Sequence, residues 1–199
     1  MTQIFPDTSD SARIAELIDR LSRLVQGLQY ADGLNPAQWE ALRFISRARL
    51  GSRTPSCLAE YLGTTKGTTS QTLIALESKG YIRRTKCPDD RRSVKIDLTE
   101  SGQAVIRQDP LAAVRSASCE IPDSCRAGLL TALEMLVAQL AGSQGLPAFG
   151  QCGACSHYRQ GCAEASGVGE KTGCRCALSG GLIPPDDLLR LCIDFQGNA

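Results

Sequence analysis

Residues 54–102 constrain what this chain can fold into more than any other stretch. Thr54-Pro55 opens a short helix over 56–62, because Pro is tolerated at a first helical position. Gly63 ends it, since a residue without Cβ takes the left-handed C-cap conformation freely. Thr64 or Thr65 caps a second helix that runs to Lys79 and stops at Gly80. Leu73 and Leu76 mark its buried face, and Lys66, Thr68, Thr69, Ser70 and Gln71 crowd its first turns with hydrogen-bonding groups. Residues 81–85 read as a strand and 87–90 as a turn. In 94–98, Val94, Ile96 and Leu98 alternate with Lys95 and Asp97 as in a half-buried strand. Helix, turn, helix and hairpin in this order make a winged helix-turn-helix, which lays its second helix in a DNA major groove.

Two amphipathic segments flank this unit. Asp10 or Ser11 caps a first helix to about Tyr30, with Ile14, Leu17, Ile18, Leu21, Leu24, Val25 and Leu28 in a broad stripe. After a loop at 32–36, Pro36 starts a helix through about Arg49, whose Trp39, Leu42, Phe44 and Ile45 read as core. Thr99 caps a helix that Asp109-Pro110 breaks. A long helix then starts near Pro122, striped by Leu129, Leu130, Leu133, Leu136, Val137 and Leu140. Two such stripes exceed what one small core absorbs; packing on each other within one chain is the simplest way to cover them.

The net charge of +1 does not by itself announce nucleic acid, but the charges segregate. Residues 53–95 carry Arg53, Lys66, Lys79, Arg83, Arg84, Lys86, Arg91, Arg92 and Lys95, against Glu60, Glu77, Asp89 and Asp90 among the acids. That run falls on the second helix and the wing. The first residues lack the basic and apolar regions of a signal peptide, and no apolar stretch is expected to span a membrane. A cytoplasmic protein with ten cysteines points to metal, cluster or redox chemistry rather than a disulfide framework.

Residues 73–82, 88–93 and 94–102 together resemble the MarR family of bacterial transcription regulators. There the D-x-R of the wing and a following L-T-x-x-G recur together, here as Asp90, Arg92, Leu98, Thr99 and Gly102. The resemblance covers about 10–141 and implies a mainly α fold with a small β-wing, a DNA-binding core at 54–102 and no enzymatic activity. It also implies a homodimer, interlocked through its terminal helices, on a pseudo-palindromic operator in double-stranded DNA. Thr68, Thr69, Ser70 and Gln71 are expected at base edges, with Lys66 on phosphate and Arg84 and Arg91 adding DNA contacts. Arg92 is expected in the minor groove, oriented by Asp90.

Residues 1–141 form the regulator part, 142–147 read as a linker, and 148–199 form a small irregular extension that binds metal or a cluster. Only 188–195 suggests a further helix there. The cysteines run C-x2-C-x6-C-x11-C-x-C-x15-C at Cys152, Cys155, Cys162, Cys174, Cys176 and Cys192. Four thiolates complete a zinc site or an iron–sulfur cluster. Cys174 and Cys176 are expected to point apart, leaving one surplus. The segment 176–180, with Cys152, Cys155, His157-Tyr158 and Cys192, resembles a cysteine-rich extension on a subset of MarR-like regulators. That resemblance implies Cys152, Cys155, Cys176 and Cys192 as ligands, with Cys162 and Cys174 in reserve. Cys57, Cys119 and Cys125 read as small buried hydrophobes, and Cys87 as a turn residue.

One C-x2-C followed by widely spaced single cysteines suits a two-iron or four-iron cluster better than zinc, whose modules usually bring two close pairs. The cofactor is expected to hold the extension together, lying just beyond the last dimer helix. The leading function is a dimeric regulator whose cluster senses redox state, iron or a reactive gas. The alternative is a regulator with a structural zinc tail that answers a small aromatic ligand. A thiol oxidoreductase or electron carrier has less support, because no strand-helix scaffold surrounds the C-x2-C.

Overall fold

The computed structural model describes residues 9–86, 94–161 and 173–197. Its centre is helix α2 (Pro36–Arg47), started by an Asn35 capping box with Gln38 and by Pro36 in the first turn. Trp39, Ala41, Leu42 and Ile45 are wholly buried along it, and Phe44 nearly so. Against this face pack α3 (Pro55–Leu62), α4 (Lys66–Ser78), β2 (Val94–Leu98) and α5 (Glu100–Ile106). Leu58, Leu73, Leu76 and Ile96 close the same core.

The caps follow local chemistry. Thr54 accepts from the Cys57 amide at 3.2 Å, and Gly63 ends α3 in the left-handed region at φ 59°. Thr65, not Thr64, caps α4 by accepting from Thr68 N at 3.1 Å, while Thr64 shares a 2.9 Å hydrogen bond with the Thr69 hydroxyl. Strand β1 (Ile82–Lys86) pairs antiparallel with β2 in the register Ile82–Leu98 to Lys86–Val94. The wing turn, with Cys87, Asp90, Arg91 and Arg92, lies outside the described residues.

The L-T-x-x-G motif has a steric basis. Thr99 Oγ1 donates to Gly80 O at 2.6 Å and accepts from Gly102 N at 3.0 Å, so one hydroxyl both caps α5 and ties it to the end of α4. A Cβ on Gly102 would stand 2.0 Å from the Tyr81 carbonyl oxygen, so only glycine fits there.

Helix α1 (Asp10–Leu28) is capped by Ser9, one residue before the expected Asp10 or Ser11, through its hydroxyl and Ala12 N. Asp109-Pro110 separates α5 from α6 (Ala112–Cys119), and α7 (Asp123–Ser143) follows, running two residues into the stretch read as linker. Neither α1 nor α7 buries a residue within the chain. Leu21 is 50% exposed and Leu133 39%, so neither stripe is covered by the other described residues. Against the expectation that no apolar stretch approaches a span, α7 is long and apolar enough to cross a membrane by length and composition alone. Cys119 and Cys125, at the adjoining ends of α6 and α7, are exposed rather than buried; Cys57 is buried.

The C-terminal extension is built from two-residue strands: β3 (Gly150–Gln151) pairs with β6 (Leu191–Cys192), and β4 (Tyr158–Arg159) with β5 (Arg175–Cys176). The expected helix at 188–195 is absent. Leu191 instead enters the main core, and extended backbone there bonds both β3 and the winged domain. Gly150 lies under the Phe195 ring, where a Cβ would come within 2.6 Å.

Gly102→Ala should cost at least about 1–3 kcal/mol, the usual range for forcing atoms into a packed core. A lower urea midpoint at unchanged slope is the expected reading. An unchanged midpoint would show that the Tyr81 carbonyl can yield.

Candidate DNA interface and cysteine-lined cavity

Helix α4 offers two different faces. Leu73 and Leu76 anchor it, and Thr69, only 1% exposed, turns inward to Thr64. Thr69 is therefore withdrawn from the expected contacts, because its hydroxyl is spent inside the helix-turn-helix. Lys66, Gly67, Thr68, Gln71 and Ile74 are exposed, and Ser70 is half-buried. Gly67 and Ile74 extend the polar set, a pair that side-chain polarity alone could not pick out in the sequence.

Much of the local basic charge is used internally. Arg53 donates to Ala48 O at 2.9 Å and to Asp97 Oδ1 at 3.2 Å. Lys79 reaches Gly33 O and Gln38 Oε1, joining the end of α4 to the start of α2. Arg84, expected on DNA, is held by Glu77: its Nε donates to Oε2 at 2.8 Å, Nη2 shares that oxygen, and its backbone N donates to Oε1 at 3.2 Å. Arg83 and Lys86 on β1 stay exposed, as does Lys66 on α4.

The four thiols of Cys152, Cys155, Cys176 and Cys192 line one cavity of about 220 Å³, together with His157, Tyr158, Ser179, Ile183 and residues Arg49, Gly51 and Ser52 of the turn after α2. Cys152 and Cys155 bracket a 3-10 turn that starts at Cys152, while Cys176 and Cys192 end β5 and β6. N–H groups face the sulfurs. Arg49 Nη1 donates to Cys152 Sγ and Gln196 N to Cys155 Sγ, each at 3.5 Å. The Ser179 backbone and side chain, then the Leu178 backbone, hold the Cys176 pKa below its ordinary value against the cost of burial. Burial pushes the Cys152 thiol up, and Arg49 offsets part of that. Four thiols with donated N–H groups are the donor set an iron–sulfur cluster takes.

Cys174 does not line the cavity; its Sγ meets Tyr158 Oη at 3.0 Å. Strand alternation is not the reason, since residues two apart share a face. Cys174 lies before the two-residue strand β5. Cys162 falls outside the described residues.

The cavity does not sit on α1 or α7, where it was expected, but on the turn between α2 and α3. Arg49 N donates to Leu191 O at 2.8 Å, Ile193 N to Ser52 Oγ at 3.2 Å, and Arg190 Nη1 to Ser46 O at 3.1 Å. Phe149 meets Phe44 and Tyr61 edge-on at centroid distances of 5.8 and 5.1 Å. This apolar seam also corrects the expectation that a cofactor alone holds the extension.

Hydrogen bonding from the Arg84 side chain, ahead of other causes, lowers the Glu77 pKa. The pair's stabilisation is therefore full above the usual carboxylate range and is lost as pH falls through the folded-state value. Glu77→Gln should cost about 1 kcal/mol or less at neutral pH, since the pair is partly exposed. The difference from wild type, followed by urea unfolding across pH, should vanish in acid; a constant difference would assign Glu77 a packing role.

The MarR family model matches residues 32–93. The chain is 33% identical over 82 residues to the HTH-type transcriptional regulator PapX of Escherichia coli, a match covering 41% of this chain and 50% of PapX. It thus spans about half the length of that curated relative. AbsC, a MarR family transcriptional regulator from Streptomyces coelicolor, superposes with TM-score 0.58 at 25% identity, over 71% of this chain and 99% of AbsC. FabT of Streptococcus pneumoniae, solved in complex with DNA, superposes with TM-score 0.55 at 25% identity, over 67% of this chain and 99% of FabT. The matched region, the wing register and these neighbours agree: the chain carries a winged-helix region similar to that of MarR family proteins.

Proposed function

We propose that the protein is a dimeric, sequence-specific DNA-binding regulator of the cytoplasm whose C-terminal cysteines hold an iron–sulfur cluster. The observation that carries the cluster reading is the meeting of four thiols, from three chain segments distant in sequence, around one cavity seated on the turn between α2 and α3. A single zinc ion needs its ligands drawn to about 2.3 Å. Among the described residues no three His, Cys, Asp or Glu side chains converge on a one-ion site. Thiols spread around about 220 Å³ suit a group of several atoms. When bound, such a group supplies reversible one-electron chemistry and sensitivity to oxidants. Cys152, Cys155, Cys176 and Cys192 would hold it, and Arg49, Ser179 and Gln196 would donate to its sulfurs.

For DNA, the exposed face of α4 presents Lys66, Thr68 and Gln71, the last able to read adenine in a major groove. Arg83 and Lys86 add positive charge at the wing root. Arg92, with Asp90, keeps its expected minor-groove role from the sequence motif. FabT bound to DNA supports this use of the fold. The unpartnered stripes of α1 and α7 support a dimer presenting two copies of α4 to half-sites about one helical turn apart.

Anaerobically purified protein is expected to be brown and to contain iron and acid-labile sulfide, with the colour lost in Cys152→Ser and Cys192→Ser. Colourless protein with stoichiometric zinc would replace the cluster by a structural metal. Gln71→Ala should weaken operator binding by about 1–3 kcal/mol and relax specificity at one base pair. A uniform effect on all sequences would remove Gln71 from base reading.

Aspartates at Leu21 and Leu133 together should yield monomers or unfolded chains by sedimentation. A stable dimer would place the interface elsewhere.

A further inference from the structure

We propose that Arg49 is the positioning residue through which charge on the cysteine-bound group reaches the helix-turn-helix and the wing. This rests on the cluster reading of the cavity. Arg49 belongs to the winged domain by sequence and to the cavity by its side chain. Its Nη1 donates to Cys152 Sγ at 3.5 Å, and its Nε lies 3.5 Å from Asp187 Oδ2. The guanidinium is thus shared between sulfur and carboxylate.

The backbone makes this sharing mechanical. Arg49 N holds Leu191 O at 2.8 Å, next to Cys192, and Ala48 bridges Leu191 in parallel. Four residues on, Arg53 O accepts from Ile96 N at 2.9 Å, and the Arg53 side chain binds both Ala48 O and Asp97. Thr54 then caps α3. One short turn, with its 3-10 segment Leu50–Ser52, therefore carries the cavity wall on one side and the root of β2 on the other.

A one-electron donor, dithionite in the assay, would reduce the bound cluster by one electron, so that the cluster and its thiolates together carry one more negative charge and no bond breaks. Arg49 answers by shifting toward the thiolates and away from Asp187, drawing the turn with it. A cation hydrogen-bonded to a ligand sulfur favours the more negative state. Arg49→Gln should therefore lower the reduction potential, and Asp187→Asn, which removes a neighbouring negative charge, should raise it. Arg49→Lys keeps the charge without the fork and should restore most of the potential but less of the coupling.

The test uses full-length protein reconstituted anaerobically with iron and sulfide, its potential followed by visible absorption. Operator affinity is read by fluorescence anisotropy in oxidised and dithionite-reduced states. Wild type should show a difference of about fivefold or more between states, in the usual range of allosteric coupling. In Arg49→Gln that ratio should fall to within about twofold of unity, with the potential lowered. If both the Gln and Asn variants titrate like wild type and keep its ratio, Arg49 is structural and the proposal is overturned. A brown wild type with equal affinity in both states overturns the coupling and leaves the cluster reading standing. A colourless wild type overturns both. Should Arg49→Gln not assemble, the opposite shift of Asp187→Asn and the partial rescue by Arg49→Lys decide alone.

Discussion

Everything else in this chain is arranged around the burial of one helix. The inward face of α2 is closed to solvent from Trp39 to Ile45, and it touches α3, α4, β2 and α5. Full burial of a large apolar side chain stabilises by about 1.5–3 kcal/mol, so this single face supplies much of the core's stability. It also fixes orientation. The recognition helix, the wing and the turn carrying Arg49 all take their positions from the same surface.

From the C-terminal half of that helix and the turn after it, two ionic links reach other elements. Arg43 donates to buried Asp109 at 3.2 Å and to Gln29 at the end of α1, tying the roots of the flanking helices to the core. Asp109 in turn accepts from Leu111 N at 2.9 Å, which sets the break before α6. Removing one partner of so buried a pair typically costs about 3–5 kcal/mol, because the other charge is stranded. Just past the helix C-terminus, Arg49 binds the extension instead. Both links therefore leave the C-terminal half of α2, Arg43 toward the flanking helices and Arg49, just beyond Arg47, toward the cysteine cavity.

The winged fold was legible because its signals are local. Thr54, Gly63, Thr65, Gly80 and Thr99 act on residues three or four positions away, and the alternation of Val94, Ile96 and Leu98 needs only one buried side. Charge was a poorer guide. Arg53, Lys79 and Arg84 look like nucleic-acid residues in a list of basic positions, yet each is engaged by a group distant in sequence or across a turn. Thr69 misled for the same reason, since a threonine on a polar helix can still face inward when another hydroxyl waits there. The extension was least legible. Its strands are two residues long, too short for any periodicity, and its position depends on Leu191 entering a core formed more than a hundred residues earlier.

That late entry changes what the extension can do. An appendage tethered beyond α7 could act on the recognition helices only by respacing the whole dimer. Leu191 and Phe149 instead lay it on Ala48, Phe44 and Tyr61, inside the DNA-binding lobe of a single protomer. The distance from thiol to wing is then a turn of backbone rather than the length of a helix pair. The guanidinium that faces the cavity is itself part of that turn. Such a short path suits a signal carried by charge, because electrostatic effects fade within about 10 Å in dilute salt unless the groups are partly buried. Arg49, with its side-chain exposure reduced to 20%, meets that condition.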